Sequence, residues 1–152
     1  MKTAIVGYPR IGAHRELKFA SEQYFRGACT EAELQETAKS LRLANLTQQK
    51  ESGLDWIPSN DFSFYDGMLD TAFLLNAVPK RYRELGLAPL DTYFAAARGY
   101  QGDKGDVKAL AMKKWFNTNY HYMVPELEDD TVICLADEKP FHLYQEAKAA
   151  GT

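Results

Sequence analysis

Three cations, Arg10, Arg15 and Lys18, stand close together near the amino terminus. A helix would put Arg15 and Lys18 one turn apart on the same face. Such a pair can hold carboxylates through charge-assisted hydrogen bonds. The same spacing also suits a solvated amphipathic face on which Glu16 and Glu22 are the partners. Cations in a first turn oppose the helix dipole, a conflict of about a few tenths of a kcal/mol at an exposed site, and local conflicts often mark function.

A second chemically loaded stretch is Lys114-Trp115-Phe116-Asn117-Thr118-Asn119-Tyr120-His121-Tyr122-Met123-Val124-Pro125-Glu126. Its aromatics, histidine and two asparagines can stack on a flat ring and hydrogen-bond its edge. The alternation of Tyr120, Tyr122 and Val124 equally describes an ordinary half-buried strand. Other chemistries find less support. His14, His121, Cys29 and Cys134 are not at the close spacings of a zinc site. Neither cysteine carries an activating motif, no G-x-S-x-G occurs, and the run Glu126 to Asp130 reads as a solvated turn.

These residues need elements to position them. Thr3-Ala4-Ile5-Val6 is an apolar run suited to a buried strand, and Gly7, Pro9 and Gly12 punctuate the turn that follows. The spacing predicts a helix over 15–26, with Leu17, Ala20, Tyr24 and Phe25 inward and Gly27 closing it. Thr30 and Glu33 have the spacing of a capping box opening a second helix, along which Leu34, Ala38, Leu41 and Leu46 trace a stripe. Glu36, Lys39, Arg42 and Lys50 then face water, and Gly53 is the stop. Leu54 to Pro58 reads as a second strand, and the loop Ser59 to Ser63 after it is either a ligand surface or plain turn chemistry.

Further on, a helix is expected over 65–76, a connector over 80–89, and a short helix capped by Asp91 and ending at Arg98, with Tyr93, Phe94 and Ala97 inward. Gly99 to Asp106 is a mobile loop by composition and matches no phosphate-binding fingerprint. Residues 107–114 read as helix, 131–135 as strand and 140–150 as helix. No internal repeat, low-complexity tract or domain boundary is visible.

Composition bounds the function classes. The 152 residues suit one domain, 45% are hydrophobic and 26% charged, and the formal net charge is -3. Cations and acids are interleaved, so no basic stripe points to nucleic acid. No apolar run approaches the roughly 20 residues that cross a bilayer, and no signal peptide is seen. The two cysteines form no dense framework, which predicts a reducing, cytoplasmic setting.

Several blocks in one order carry a resemblance. Gly7-Tyr8-Pro9-Arg10-Ile11-Gly12 with Arg15-Glu16-Leu17-Lys18, Ile57-Pro58-Ser59-Asn60-Asp61-Phe62-Ser63-Phe64-Tyr65-Asp66, Tyr93-Phe94-Ala95-Ala96-Ala97-Arg98-Gly99, and the stretch from Lys114 to Glu126 resemble the amino-terminal part of cobalamin-independent methionine synthases. The resemblance implies transfer of a methyl group from 5-methyltetrahydrofolate, carrying a polyglutamate tail, to homocysteine on two face-to-face (βα)8 barrels. It also implies an α/β fold, helix-rich with few strands: a partial (βα)8 barrel, with residues 1–152 the amino-terminal part of the N-terminal barrel and another strand due after Gly151-Thr152.

The zinc of the family and its ligands belong to the C-terminal barrel, absent here, so no catalytic residue and no bound cofactor are expected in this chain. The family's tail contacts carry over onto Arg15, Glu16, Leu17, Lys18 and Lys114, the lysine directly before Trp-Phe. Contact of Trp115, Tyr120 or His121 with the pterin is a separate suggestion. The partners implied are the folate polyglutamate and the C-terminal barrel, with neither nucleic acid nor membrane. A partial barrel also exposes strand edges that can recruit a second copy, so the competing reading is a stand-alone self-association module without folate.

Overall fold

A computed structural model describes residues 1–152. In chain order its elements are helices α1 (Glu16–Phe25), α2 (Glu31–Glu51), α3 (Gly67–Leu74), α4 (Lys80–Arg83) and α5 (Pro89–Arg98), strands β1 (Tyr100–Gly102), β2 (Gly105–Val107), β3 (Met112–Lys114) and β4 (His121–Met123), and helix α6 (Lys139–Ala149). The chain is a mixed α/β protein with six helices and few, short strands. Residues 1–64 with 139–152 form one unit, and residues 65–138 form another.

The first unit is built on α1, α2 and α6. Thr30 and Glu33 form the expected capping box: the Thr30 hydroxyl accepts from Glu33 N, and Thr30 N donates to Glu33 Oε2 at 2.7 Å. Of the predicted stripe on α2, Leu34, Ala38 and Leu46 are buried. Leu17 of α1 meets Ala38 and Phe62 in a small core, with Leu41 and Phe64 packed against it. Of the other residues expected inward on α1, Ala20, Tyr24 and Phe25 are only half-buried.

Arg42 departs from the expectation that it faces water. Its Nε and Nη2 donate to Glu146 of α6 at 2.7 and 2.9 Å, and the guanidinium lies 5.2 Å from the Phe62 ring centre. The planar fork suits a bidentate carboxylate, and an aromatic face accepts the remaining cationic surface. Lys139 Nζ reaches the carbonyl of Phe62 at 2.6 Å, so α6 is tied to this corner at both its start and its middle.

The strands expected over 3–6 and 54–58 are reduced to one parallel bridge between Ala4 and Trp56. Trp56 N donates to Thr3 O at 3.1 Å, and the Asp55 carboxylate accepts from Thr3 N and Thr3 Oγ1. Pairing stops there because neither run has a covering layer at its outer residues: Val6 is fully exposed, and Trp56 lies open under Lys2. The parallel approach with helices between the two runs is nevertheless that of a β-α-β connection.

The second unit corrects several expectations. The helix expected over 65–76 is α3, opened at Asp66, whose carboxylate accepts from Met68 N and Leu69 N. The connector over 80–89 contains α4, anchored by the fully buried Tyr82, whose hydroxyl donates to Lys108 O at 2.7 Å. Helix α5 begins at Pro89, a good first residue because its missing N–H would be unpaired there, and so precedes Asp91.

Gly99 to Asp106 forms a two-residue hairpin of β1 and β2. The helix expected over 107–114 is replaced by the end of β2 and by β3, which pairs antiparallel with β4. Cross-strand pairing overrides a weak helical period here. Residues 131–135, expected as a strand, form no strand; Cys134 N and Ala136 N donate instead to Leu75 O and Leu74 O. No helix is long and apolar enough to cross a membrane.

Two measurements check this account of the first unit. Thr30→Ala should cost about 1 kcal/mol in urea denaturation and Leu34→Ala about 2–5 kcal/mol. Hydrogen bonds from the Thr30 backbone and then its hydroxyl hold the Glu33 carboxyl below its ordinary range. A lowered carboxylate contributes stability above its unfolded pKa and loses it as pH falls through the folded one. The cost of Thr30→Ala is therefore expected to shrink in acid; a cost that grew there would contradict the capping box.

Candidate functional site

The predicted cationic pair lies where α1 begins. Arg15 is the residue before the helix and adopts a left-handed conformation, φ 65° and ψ 33°, with no side-chain cap. A non-glycine residue reaches that conformation only when its neighbours determine it. Those neighbours are identifiable: Arg15 N donates to Gly12 O at 3.2 Å, and Leu17 N reaches back to Ile11 O at 3.1 Å. The turn is thus closed from both sides.

Glu16 serves this turn. Its Oε2 accepts from His14 N at 3.0 Å. The hydrogen bond from its own N–H, and then that from His14, hold its carboxyl below the ordinary range. Leu17 is 2% exposed and belongs to the core. So, of the four residues carried over by resemblance, two side chains are engaged in building the turn and two remain on its surface.

Those two are Arg15 and Lys18. Arg15 is exposed, and Lys18 makes an i,i+4 ion pair with Glu22 at 3.3 Å. Both cations lie over Phe19, with Arg15 Cζ 6.0 Å and Lys18 Nζ 5.6 Å from its ring centre. The ring was not foreseen as part of this group: Phe19 follows Lys18 directly, an offset that does not by itself bring two helical side chains together. It keeps two long side chains near one spot, and what they present together is a positively charged, partly apolar surface fit for carboxylates. The Lys18–Glu22 pair is exposed and worth little, so an incoming acid can replace Glu22 at small cost.

The loops after the two bridged runs come together beside this turn's unit. Asp61 Oδ2 accepts from Tyr8 N at 2.7 Å, and Asn45 Nδ2 donates to Pro9 O at 3.1 Å. Tyr8, Arg10, Ser59 and Asp61 line a pocket of about 20 Å³ with Arg42 and Gln49. Gln49 Nε2 donates to Asn45 O, while its buried Oε1 has no partner. The cavity has room for about one water and for no larger ligand.

Lys114, Trp115, Tyr120 and His121 lie in the second unit. Lys114 ends β3 opposite His121 in the ladder, and both are exposed. Trp115 and Tyr120 flank the loop between β3 and β4, where Trp115 N donates to Tyr120 O at 2.8 Å. Trp115 lies against Tyr122, ring centres 4.6 Å apart, and is 41% exposed; Tyr120 is 80% exposed. Only Met123 of this stretch is buried, out of phase with the expected alternation of Tyr120, Tyr122 and Val124, of which Tyr120 is exposed and the other two half-buried. These aromatics therefore form an outer face and not a core.

No three His, Cys, Asp or Glu side chains are arranged to hold a metal ion, and Cys29 and Cys134 are unbridged. The donor set thus does not fit zinc. The chain is a mixed α/β protein with surface cations at the α1 turn of one unit and exposed aromatics around the β3–β4 loop of the other. The chain belongs to the cobalamin-independent synthase family, whose N-terminal domain matches residues 2–152.

Curated relatives agree. Proteins named 5-methyltetrahydropteroyltriglutamate–homocysteine methyltransferase from Campylobacter jejuni subsp. doylei and Streptococcus suis are each 58% identical to this chain over 151 residues, and one from Streptococcus thermophilus is 57% identical. Each match covers 99% of this chain and 20% of the relative, so the chain spans about a fifth of the length of the relatives it matches.

The turn itself is testable. At Gly12 φ is 86°, and an added Cβ would overlap the Glu16 carboxylate and stand 2.9 Å from Leu41 Cδ2. Gly27 has φ 67° with open space around it. Gly12→Ala should therefore cost about 2–3 kcal/mol and Gly27→Ala about 1 kcal/mol. Equal losses in urea denaturation would show that the Gly12–Glu16 approach does not hold the turn.

Proposed function

We propose that this chain is the amino-terminal part of a methyltransferase that passes the methyl group of 5-methyltetrahydrofolate polyglutamate to homocysteine, giving methionine, and that this part grips the polyglutamate tail. The observation that carries the reading is the 58% identity, along nearly the whole chain, to proteins whose name states that reaction and a triglutamate substrate. On this reading residues 1–152 belong to the N-terminal (βα)8 barrel, zinc and its ligands lie in a C-terminal barrel beyond this sequence, and the enzyme works in the cytoplasm.

A triglutamate tail is a chain of carboxylates. Arg15 and Lys18, held together over Phe19, supply two cations on one surface; Lys114, in the second unit, is the other cation that the resemblance assigns to the tail. Glu16 and Leu17 act on the tail indirectly, by fixing the turn that presents Arg15. Trp115, Tyr120 and His121 offer a stacking face for the pterin. No step of the methyl transfer itself falls to this chain.

The test compares folates of different tail length by titration. Reversing Arg15 or Lys18 to Glu should weaken the triglutamyl form about fivefold, as an exposed pair worth up to about 1 kcal/mol would, and leave the monoglutamyl form little changed. Equal loss for both would remove the tail-binding role. Mixed alone with zinc, homocysteine and the methyl donor, the chain should form no methionine.

A further inference from the structure

The hairpin of β3 and β4 carries Lys114, and its register shows what holds it. Val124 N donates to Ala111 O, and Trp115 N donates to Tyr120 O. In an antiparallel ladder such hydrogen-bonded pairs alternate with pairs that exchange no bond, so Met112–Met123 and Lys114–His121 are of the second kind. Side chains two residues apart share a face of the strand. Lys114 and His121 therefore stand on the face to which Met123, 1% exposed, also belongs. The N–H of Met123 points away from β3, toward the open side of β4.

Asp66 takes that N–H. Its Oδ2 accepts from Met123 N at 3.0 Å, while Oδ1 accepts from Met68 N and Leu69 N at 2.8 and 3.0 Å and caps α3. One half-buried carboxylate thus joins the start of α3 to β4, two residues from His121. Strands of three residues make a marginal hairpin by themselves, and residues 111–121 are all exposed, so the place of this hairpin depends on what its base is fixed to. Both carboxylate oxygens are needed for the join. Asparagine has one acceptor oxygen, and its NH2 group would meet the Met123 N–H donor to donor.

We infer that Asp66 is a positioning residue for the folate tail: by fixing Met123 it sets where β4, and with it Lys114, presents charge. It rests on the reading of Lys114 as a tail contact, and Asp66 acts through that lysine.

Titration with triglutamyl and monoglutamyl folate tests this on Asp66→Asn, Lys114→Glu and the double variant, each held well below its unfolding temperature as followed by circular dichroism. Asp66→Asn keeps a cap on α3, because asparagine caps a helix as well as aspartate does. It should weaken the triglutamyl form about threefold and leave the monoglutamyl form little changed, as partial loss of one exposed charge contact would. A purely structural role would lower the urea midpoint and leave the preference for the longer tail intact. The double variant should lose no more of that preference than Lys114→Glu alone. Additive losses, or an Asp66→Asn that keeps the wild-type preference beside a Lys114→Glu that has lost it, would overturn the inference and leave the tail reading standing; a Lys114→Glu that keeps the preference would overturn both. Should Asp66→Asn fail to fold, hydrogen exchange of the wild-type chain decides. The Met123 amide should be protected, and more so with triglutamate bound; an amide exchanging as freely as those of the loop between β3 and β4 would overturn the inference.

Discussion

The burial of Leu17 against Ala38 and Phe62 is the constraint from which the arrangement of the first unit follows. Burying such a side chain contributes roughly 2 kcal/mol, more than any exposed ion pair nearby. Because Leu17 must face inward, helical geometry leaves Lys18 on the flank of α1, and Arg15, just before the helix, is exposed. The same contact seats Phe62, whose ring takes the Arg42 guanidinium and whose carbonyl takes Lys139. One small apolar contact thus fixes the helix, its surface cations and the docking of α6.

The turn before α1 shows how the cations gain a defined place despite their mobility. Arg15 sits in a conformation that costs energy for a residue with a side chain, and a carboxylate, a glycine and two backbone hydrogen bonds hold it there. The conflict between first-turn cations and the helix dipole is left unrelieved, with Glu22 a weak exposed partner. A cation held only by a weak, exposed pair can exchange that partner for an acidic ligand at small cost.

Much of the first unit was legible because its signals are local. The Thr30 and Glu33 pair needs only three residues of separation, and Leu34, Ala38 and Leu46 follow one helical stripe. The Arg42 partner was not legible, since Glu146 lies 104 residues away and nothing near Arg42 announces it. In the second unit, strands of three residues carry too little alternation to outweigh a glycine-rich composition or a weak helical period, so β1, β2 and β3 were missed. The strands over 3–6 and 54–58 were read from their composition, and that composition suits a fuller sheet than the single bridge they form. Family membership was legible because several ungapped blocks in a fixed order are far more specific than any one of them.

The claim at the centre of this account is that the α1 turn presents Arg15 and Lys18 to carboxylates while Glu16 and Leu17 hold it in place. Nuclear magnetic resonance of the isotope-labelled chain titrated with triglutamate tests it most directly. Saturable shifts of the Arg15 and Lys18 side-chain signals are expected, with the His14 amide still hydrogen-bonded to Glu16 and the Leu17 methyls unmoved. Saturation elsewhere with no response from Arg15 or Lys18, or loss of the His14 to Glu16 bond on binding, would contradict it.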